Sequence, residues 1–136
     1  MTTKNKSYLR LEKYRFKITS GQELENGKIE KNQVAGMATL VEGQKNYCLH
    51  LYMFQNDQFF LVPHKTNPSR FVIMTRRPWK EKEGKGKFSW NIVGHAIARG
   101  ENSCVELKFD LLGRSLYMSM FPEESIQHRS NYRSVA

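Results

Sequence analysis

Alternation of apolar and polar residues with a period of two dominates this chain, and this spacing predicts β-strands. Residues 13–18 show it first, with one apolar face and one basic face. Apolar runs of strand length recur along the rest of the chain, separated by turn-forming residues. The further predicted strands are 34–41, 47–54, 58–62, 70–76, 88–98, 103–112 and 115–121. No helical period persists over ten residues except in Glu123 to Arg129, where we expect at most a short C-terminal helix.

The predicted strands fall into two similar halves. Landmark residues recur in the same order at offsets of 55 to 59 residues. The corresponding pairs are Gly36-Met37-Ala38 with Gly94-His95-Ala96, Cys48 with Cys104, and Pro63 with Pro122. Such self-similarity predicts an internal repeat, with copies at about 8–63 and 70–122. Because few residues are identical, chance convergence of two unrelated meanders is the alternative.

Strands joined in chain order by short turns should pair antiparallel. We therefore predict an all-β fold of one domain, residues 1–136, built from two tandem four-stranded antiparallel meanders. The meanders should form a small closed or half-open barrel, with two packed sheets as the alternative. Residues 20–33 and 77–87 are predicted to be equivalent long connections between strands.

The size and composition of the chain agree with one folded domain. Its 136 residues are 39% hydrophobic and 12% aromatic, which is enough for one modest core. No apolar run reaches the length of a membrane-spanning helix, so we expect no membrane partner. The first residues lack the apolar stretch of a secretory signal and only two cysteines occur, which favours a cytoplasmic protein.

The positive charge of the chain is concentrated in two blocks. The formal net charge is +9. Residues 1–17 hold six Lys or Arg against one Glu, a net of +5, and residues 65–87 hold eight against two Glu, a net of +6. A concentrated basic surface is the usual electrostatic signature of a polyanionic partner. Both blocks precede or contain the first strand of a repeat copy, so they should occupy related positions.

The second basic block also contains aromatic residues. Trp79 and Trp90 bracket a segment rich in lysine and glycine. Lys and Arg neutralise phosphates while aromatic rings stack on bases, so we expect a small nucleic-acid-binding protein, for single-stranded DNA or RNA with little sequence specificity. The alternative is that both tryptophans belong to the core and the lysines to a solvated hairpin tip. The candidate binding residues are Arg76, Arg77, Trp79, Lys80, Lys82, Lys85, Lys87, Phe88 and Trp90, with Lys13, Arg15 and Lys17 as an auxiliary patch.

A second candidate surface lies on the predicted strand 47–54. Strand 103–112 should have a wet face, formed by Cys104, Glu106, Lys108 and Asp110, opposite an apolar one. In strand 47–54 the corresponding face is apolar and aromatic; it consists of Cys48, His50, Tyr52 and Phe54, with Leu49, Leu51 and Met53 facing the other way. We expect a cover: a second copy in a homodimer, the C-terminal segment through Ile126 and Tyr132, or stacked bases. A protein–protein assembly module using His50, Tyr52 and Phe54 is the alternative function.

The chain lacks the patterns of catalytic and metal sites. Its four histidines show no metal-ligand spacing, and neither HExxH, Cys-x-x-Cys nor a complete Walker motif occurs. We therefore expect no enzymatic activity, no metal and no cofactor. A barrel that encloses a small apolar ligand is a third hypothesis, which follows from the architecture alone.

Overall fold

Eight antiparallel strands form one sheet in the computed structural model, which describes residues 11–80 and 86–123. The strands are β1 (Lys13–Glu23), β2 (Ile29–Val41), β3 (Tyr47–Leu51), β4 (Phe59–Pro63), β5 (Arg70–Lys80), β6 (Gly86–Arg99), β7 (Cys104–Phe109) and β8 (Leu116–Ser119). Each strand pairs with the next, and β8 pairs with β1, so the sheet closes into a barrel. The predicted fold of two tandem four-stranded meanders is confirmed. The predicted C-terminal helix, beyond its first residue Glu123, lies outside the described residues.

Side chains from all eight strands meet inside the barrel and form one hydrophobic cluster. The residues that alternate toward the interior are Phe16, Ile18, Ala38, Leu49, Leu51, Phe59, Leu61, Ile73, Ala96, Val105, Leu107, Phe109, Leu116 and Met118. An eight-stranded barrel has an interior that side chains just fill, which matches this cluster. The period of two located the core correctly for Phe16, Ile18, Leu49, Leu51, Val105, Leu107 and Phe109, whereas Met53 and Leu111, predicted on the same apolar faces, are exposed.

The two halves of the barrel use the same strand register. Ile18 pairs with Gly36 and Gly36 with Leu51, and the second half repeats this as Ile73, Gly94 and Phe109. A β-bulge follows the isoleucine in each half. The last strand of each half pairs with the first strand of the other half. The halves are thus related by an approximate twofold axis along the barrel.

The register corrects the predicted equivalence of the two cysteines. Cys48 lies three residues before Leu51, and the residue three before Phe109 is Glu106. Cys48 pairs with Phe60 on β4, and Glu106 pairs in the same way with Tyr117 on β8. Structurally equivalent residues of β3 and β7 are two residues farther apart in the sequence than Cys48 and Cys104 are. The shared residue type is therefore a coincidence of sequence.

The predicted long connections are wrong, because most of their residues are in strands. β1 extends to Glu23 and β2 begins at Ile29, while β5 extends to Lys80 and β6 begins at Gly86. Beyond each bulge β1 still pairs with β8 as far as Ser20, and β5 pairs with β4 as far as Thr75. Past these residues the paired strands form a two-stranded ribbon, which we call the first arm (residues 21–31) and the second arm (residues 76–80 paired with 86–90). A ribbon outside the barrel needs no alternating apolar face, so hydrophobic periodicity does not reveal it.

The first arm packs against the outside of the barrel through a cluster of charged residues. Arg99, at the end of β6, donates hydrogen bonds to Glu106 Oε1 (2.7 Å), Glu23 Oε2 (3.0 Å) and Glu101 Oε1 (3.1 Å). Hydrogen bonds to Glu23, Glu101 and Glu106, in that order of effect, raise the pKa of Arg99 above its ordinary value. We call these four residues the Arg99 cluster. Since Glu23 belongs to the first arm, the cluster fastens that arm to β6 and β7.

The first arm lies over β7 and β8, and the predicted wet face of strand 103–112 is therefore wrong in part. Cys104 and Glu106 are buried, as is Tyr117 beside them. Glu106 Oε2 accepts a 2.6 Å hydrogen bond from Ser115, so both of its oxygens are satisfied. Burial is the main cause that raises the pKa values of Cys104 and Tyr117. Of the predicted wet residues, Lys108 and Asp110 remain exposed.

Gly36 and Gly94, which occupy equivalent positions on the middle strands of the two halves, provide a test of the fold. A Cβ at Gly94 would overlap the carbonyl oxygen of Lys108 and lie 3.0 Å from the Phe109 Cα, both of them backbone atoms. We expect Gly94→Ala to lower the free energy of unfolding by roughly 1–3 kcal/mol, the usual cost of overpacking. Gly113→Ala is the matched control, because nothing lies within 4 Å of its Cβ position. Urea unfolding measures both; equal midpoints would contradict the register.

The burial difference between the two thiols is a second prediction. Cys48 is partly exposed, whereas Cys104 is fully buried and has a raised pKa. An aromatic disulfide reagent at pH 8 should therefore react with one thiol of the native protein in a fast phase and with the second in a much slower phase that becomes fast in urea. Cys48→Ser should remove the fast phase, and Arg99→Gln should accelerate the slow phase by releasing the first arm. Equal reaction rates for both native thiols would show that the arm does not cover Cys104.

Candidate nucleic-acid interface

The outer face of the second arm carries an arginine stacked among aromatic rings. The pairing of Arg76 with Trp90, and of Pro78 with Phe88, places these side chains on one face of the ribbon. The guanidinium carbon of Arg76 lies 4.3 Å from the ring centroid of Phe88, 5.2 Å from Phe60 and 5.8 Å from Trp90. The Phe60 and Trp90 rings meet edge to face at 5.4 Å. We call Phe60, Arg76, Phe88 and Trp90 the Arg76 cluster.

The charge of Arg76 has no acidic partner among residues 11–80 and 86–123. Every ion pair within those residues involves Arg99. Arg76 donates one long hydrogen bond, 3.5 Å, to the Gln58 side-chain oxygen. Aromatic contacts stabilise a guanidinium through its flat faces and leave the N–H groups at its edge free to donate. The cluster therefore offers a positive charge and hydrogen-bond donors.

The aromatic rings of this face are half exposed. Phe88 is 50% exposed and Trp90 48% exposed, and Ile92, which pairs with Met74, continues the apolar surface at 57%. Single exposed apolar residues are common, but a contiguous group of this kind usually marks a contact surface. The rings present flat area to an incoming ligand.

The first arm differs from the second at the corresponding position. Arg76 lies three residues after Ile73, and the residue three after Ile18 is Gly21. A side chain at Gly21 would collide with the backbone of Glu30, so the first arm is a closely paired ribbon there. Corresponding strand positions thus hold a glycine packed against the opposite strand in one half and an arginine among aromatic rings in the other.

The other predicted binding residues are distributed around the second arm. Arg77 follows Arg76 and points to the opposite face, at the rim of a cleft in the end of the barrel. Strand pairing brings the backbones of Trp79 and Lys87 together farther along the arm, with Lys80 opposite Gly86. Lys82 and Lys85 lie outside the described residues.

The auxiliary patch does not join the Arg76 cluster. Lys13, Arg15 and Lys17 lie on β1, paired with Val41, Thr39 and Met37 of β2. β1 and β5 are four strands apart in a ring of eight, so the described basic residues of the first block lie on the opposite side of the barrel from those of β5. The patch also lies in the N-terminal half of β1, whereas the first arm is formed by the C-terminal half of that strand. A ligand on one block would have to wrap around the barrel to reach the other.

The predicted aromatic face on strand 47–54 needs correction. β3 ends at Leu51, and Tyr52–Phe54 form a 3₁₀ turn, whose three residues per turn replace the period of two. Phe54 therefore packs inward against Phe59, with ring centroids 6.2 Å apart, and Met53 is 80% exposed instead of facing the core. His50 and Tyr52 remain on the surface, with their ring centroids 6.0 Å apart.

A cleft of about 140 Å³ lies beside the base of the second arm. Aromatic residues and three polar residues line it. They are Phe54, Phe59, Phe109, Asp57, Thr75 and Arg77, and the aliphatic residues Val93, Leu111 and Leu112 complete the lining. Sequence analysis did not single out this cleft, because its residues come from strands and connections that are distant in the chain.

Sequence analysis missed Phe60, a member of the Arg76 cluster, and Gln58, which accepts the hydrogen bond from Arg76. The signal for Phe60 was present in the sequence, since two consecutive phenylalanines on one strand cannot both face the core. Phe59 is buried and Phe60 is on the outside. Gln58 links the face to β3, because its amide nitrogen donates to the Cys48 sulfur at 3.3 Å.

Neither a metal site nor a known relative defines the ligand. In the described part of the chain, no three His, Cys, Asp or Glu side chains are grouped as metal ligands would be. Nor do the described residues include a helix long and apolar enough to cross a membrane. Comparisons with protein-family models, curated proteins and solved structures found no significant match for this chain.

Proposed function

We propose that this protein binds single-stranded nucleic acid through the second arm, with little dependence on sequence. One observation carries the proposal: the Arg76 guanidinium stacks among three aromatic rings and has no carboxylate partner among the described residues. Among the described residues this cation is partly desolvated and has no neutralising carboxylate, which suits an anionic ligand. Phosphate oxygens match the donor geometry of a guanidinium edge.

The half-exposed rings supply the second part of single-strand recognition. Unpaired bases expose flat faces, and each base stacked on an aromatic side chain contributes roughly 1–3 kcal/mol whatever its identity. Phe88 and Trp90 lie beside Arg76, so a base on a ring and its phosphate at the guanidinium would be neighbours. The basic residues of segment 65–87, net charge +6, add long-range attraction.

The assembly-module alternative has less support in the geometry. It required His50, Tyr52 and Phe54 to share one outward face of a strand. Phe54 instead belongs to the partly buried residues packed against the core. The two remaining side chains contact each other edge to face and carry no cationic partner comparable with Arg76.

Replacing Arg76 tests the phosphate contact. We expect Arg76→Gln to weaken binding of a labelled 15-nucleotide single strand by roughly tenfold at low salt, and to reduce the slope of log K against log salt by about 0.7. The matched control is Arg70→Gln, which removes the same charge from the same strand about 20 Å away. It should change affinity less than twofold. Fluorescence anisotropy at several salt concentrations measures both.

The result is decisive in either direction. If Arg76→Gln and Arg70→Gln weaken binding equally, the protein responds to net charge alone and the Arg76 cluster is not the contact. If the unchanged protein fails to bind single strands even at low salt, the proposed function is wrong.

Trp90 itself can report the stacking. The chain has two tryptophans, so Trp79→Phe leaves Trp90 as the single tryptophan, which excitation at the red edge separates from the tyrosines. We expect titration with a single strand to quench its emission, because a base stacked on indole provides a quenching contact. Trp90→Ala should weaken binding by roughly 5- to 150-fold, and Trp90→Phe should restore most of it, since stacking needs only an aromatic face. An unchanged Trp90 spectrum at saturating ligand would place the bases elsewhere.

A further inference from the structure

The cleft at the end of the barrel has the size of one small ring. Its volume is about 140 Å³. An engineered apolar cavity of about 150 Å³ in another protein holds one benzene molecule, so the cleft has room for a single six-membered ring, and part of a fused bicyclic ring would stay outside it. Phe59 and Phe109 form its aromatic floor, with ring centroids 5.3 Å apart and edge to face.

Three polar groups at the cleft combine donors with acceptors. Asp57 offers carboxylate oxygens, and Arg77 offers guanidinium N–H groups. The two do not neutralise each other, because the ion pairs among the described residues all involve Arg99. Thr75 already donates its hydroxyl proton to the Gln58 carbonyl oxygen, 3.0 Å away, so toward the cleft it acts as an acceptor.

The cleft is adjacent to the Arg76 cluster through consecutive residues on two strands. Phe60 belongs to the cluster and Phe59 to the cleft, and the same holds for Arg76 and Arg77. Successive side chains of a strand point to opposite faces, so the two strands β4 and β5 present a stacking surface on one side and a ring-sized cleft on the other. A strand bound across the cluster would have to turn around this pair of strands to place a base in the cleft.

We propose that the cleft takes one unstacked pyrimidine base of the bound strand and prefers cytosine; this rests on the proposed single-strand binding. The exocyclic amine of cytosine donates to the Asp57 carboxylate, and its ring nitrogen and carbonyl oxygen accept from Arg77. Thymine and uracil present a carbonyl oxygen where cytosine has the amine, so they meet a carboxylate with a second acceptor. Purines exceed the volume of the cleft.

Homopolymer strands test the preference directly. Anisotropy titrations at pH 7.5 with labelled dC, dT and dA 15-mers compare the three affinities. We expect the dC strand to bind at least about fivefold more tightly than dT or dA, within the range that one well-paired base contact provides. Asp57→Asn places amide donors opposite the thymine carbonyl, so the dC preference should vanish or reverse. Asp57 is exposed in a connection, so this variant should retain the native thermal midpoint.

Variants on the two faces separate this inference from the proposed function. Arg77→Gln should weaken dC more than dT, whereas Arg76→Gln should weaken all three strands by the same factor. Equal binding of the three strands, unaffected by Asp57→Asn, would overturn the cytosine site while the single-strand function stands. Binding of none of the strands would overturn both.

Discussion

Closure of the sheet is the constraint on which the other features depend. The last strand of each half pairs with the first strand of the other, Met118 with Ile18 and Leu61 with Ile73. Neither meander can therefore complete its hydrogen bonding alone. Closure also removes free edges, which would otherwise invite association with other chains. Because the bulges follow Ile18 and Ile73, the closed ring fixes where the two arms leave it and which part of the outer surface each one faces.

The two arms use that shared geometry for different purposes. Under the first arm, Glu106 is buried at the position that Cys48 has in the other half, and the Arg99 cluster pairs its charge. A buried carboxylate without a partner would be strongly destabilising, so Arg99 and Glu106 depend on each other. The second arm places its arginine among rings instead. The rings carry no charge, and no carboxylate among the described residues pairs with this arginine.

The sequence predicts the barrel well, because alternation reports which residues face the core. Phe16, Ile18 and Leu107 are examples in which apolar character and inward direction coincide. Alternation could not reveal the arms, because their strands are held together by backbone hydrogen bonds and need no buried apolar face. The burial of Glu106 also has no local signal. Its cover depends on Glu23, which lies 76 residues from Arg99, and only strand pairing brings them together.

The candidate site was predictable in composition and unpredictable in arrangement. Arg76, Phe88 and Trp90 stood out because basic and aromatic residues alternate there, but Arg76 and Arg77 were treated as equivalent. On a strand they face opposite sides, which separates a guanidinium stacked among rings from one at the rim of a cleft. A single ribbon therefore provides two chemically different surfaces within one residue step. The proposed single-strand binding and the proposed base preference therefore depend on opposite faces of the same two strands.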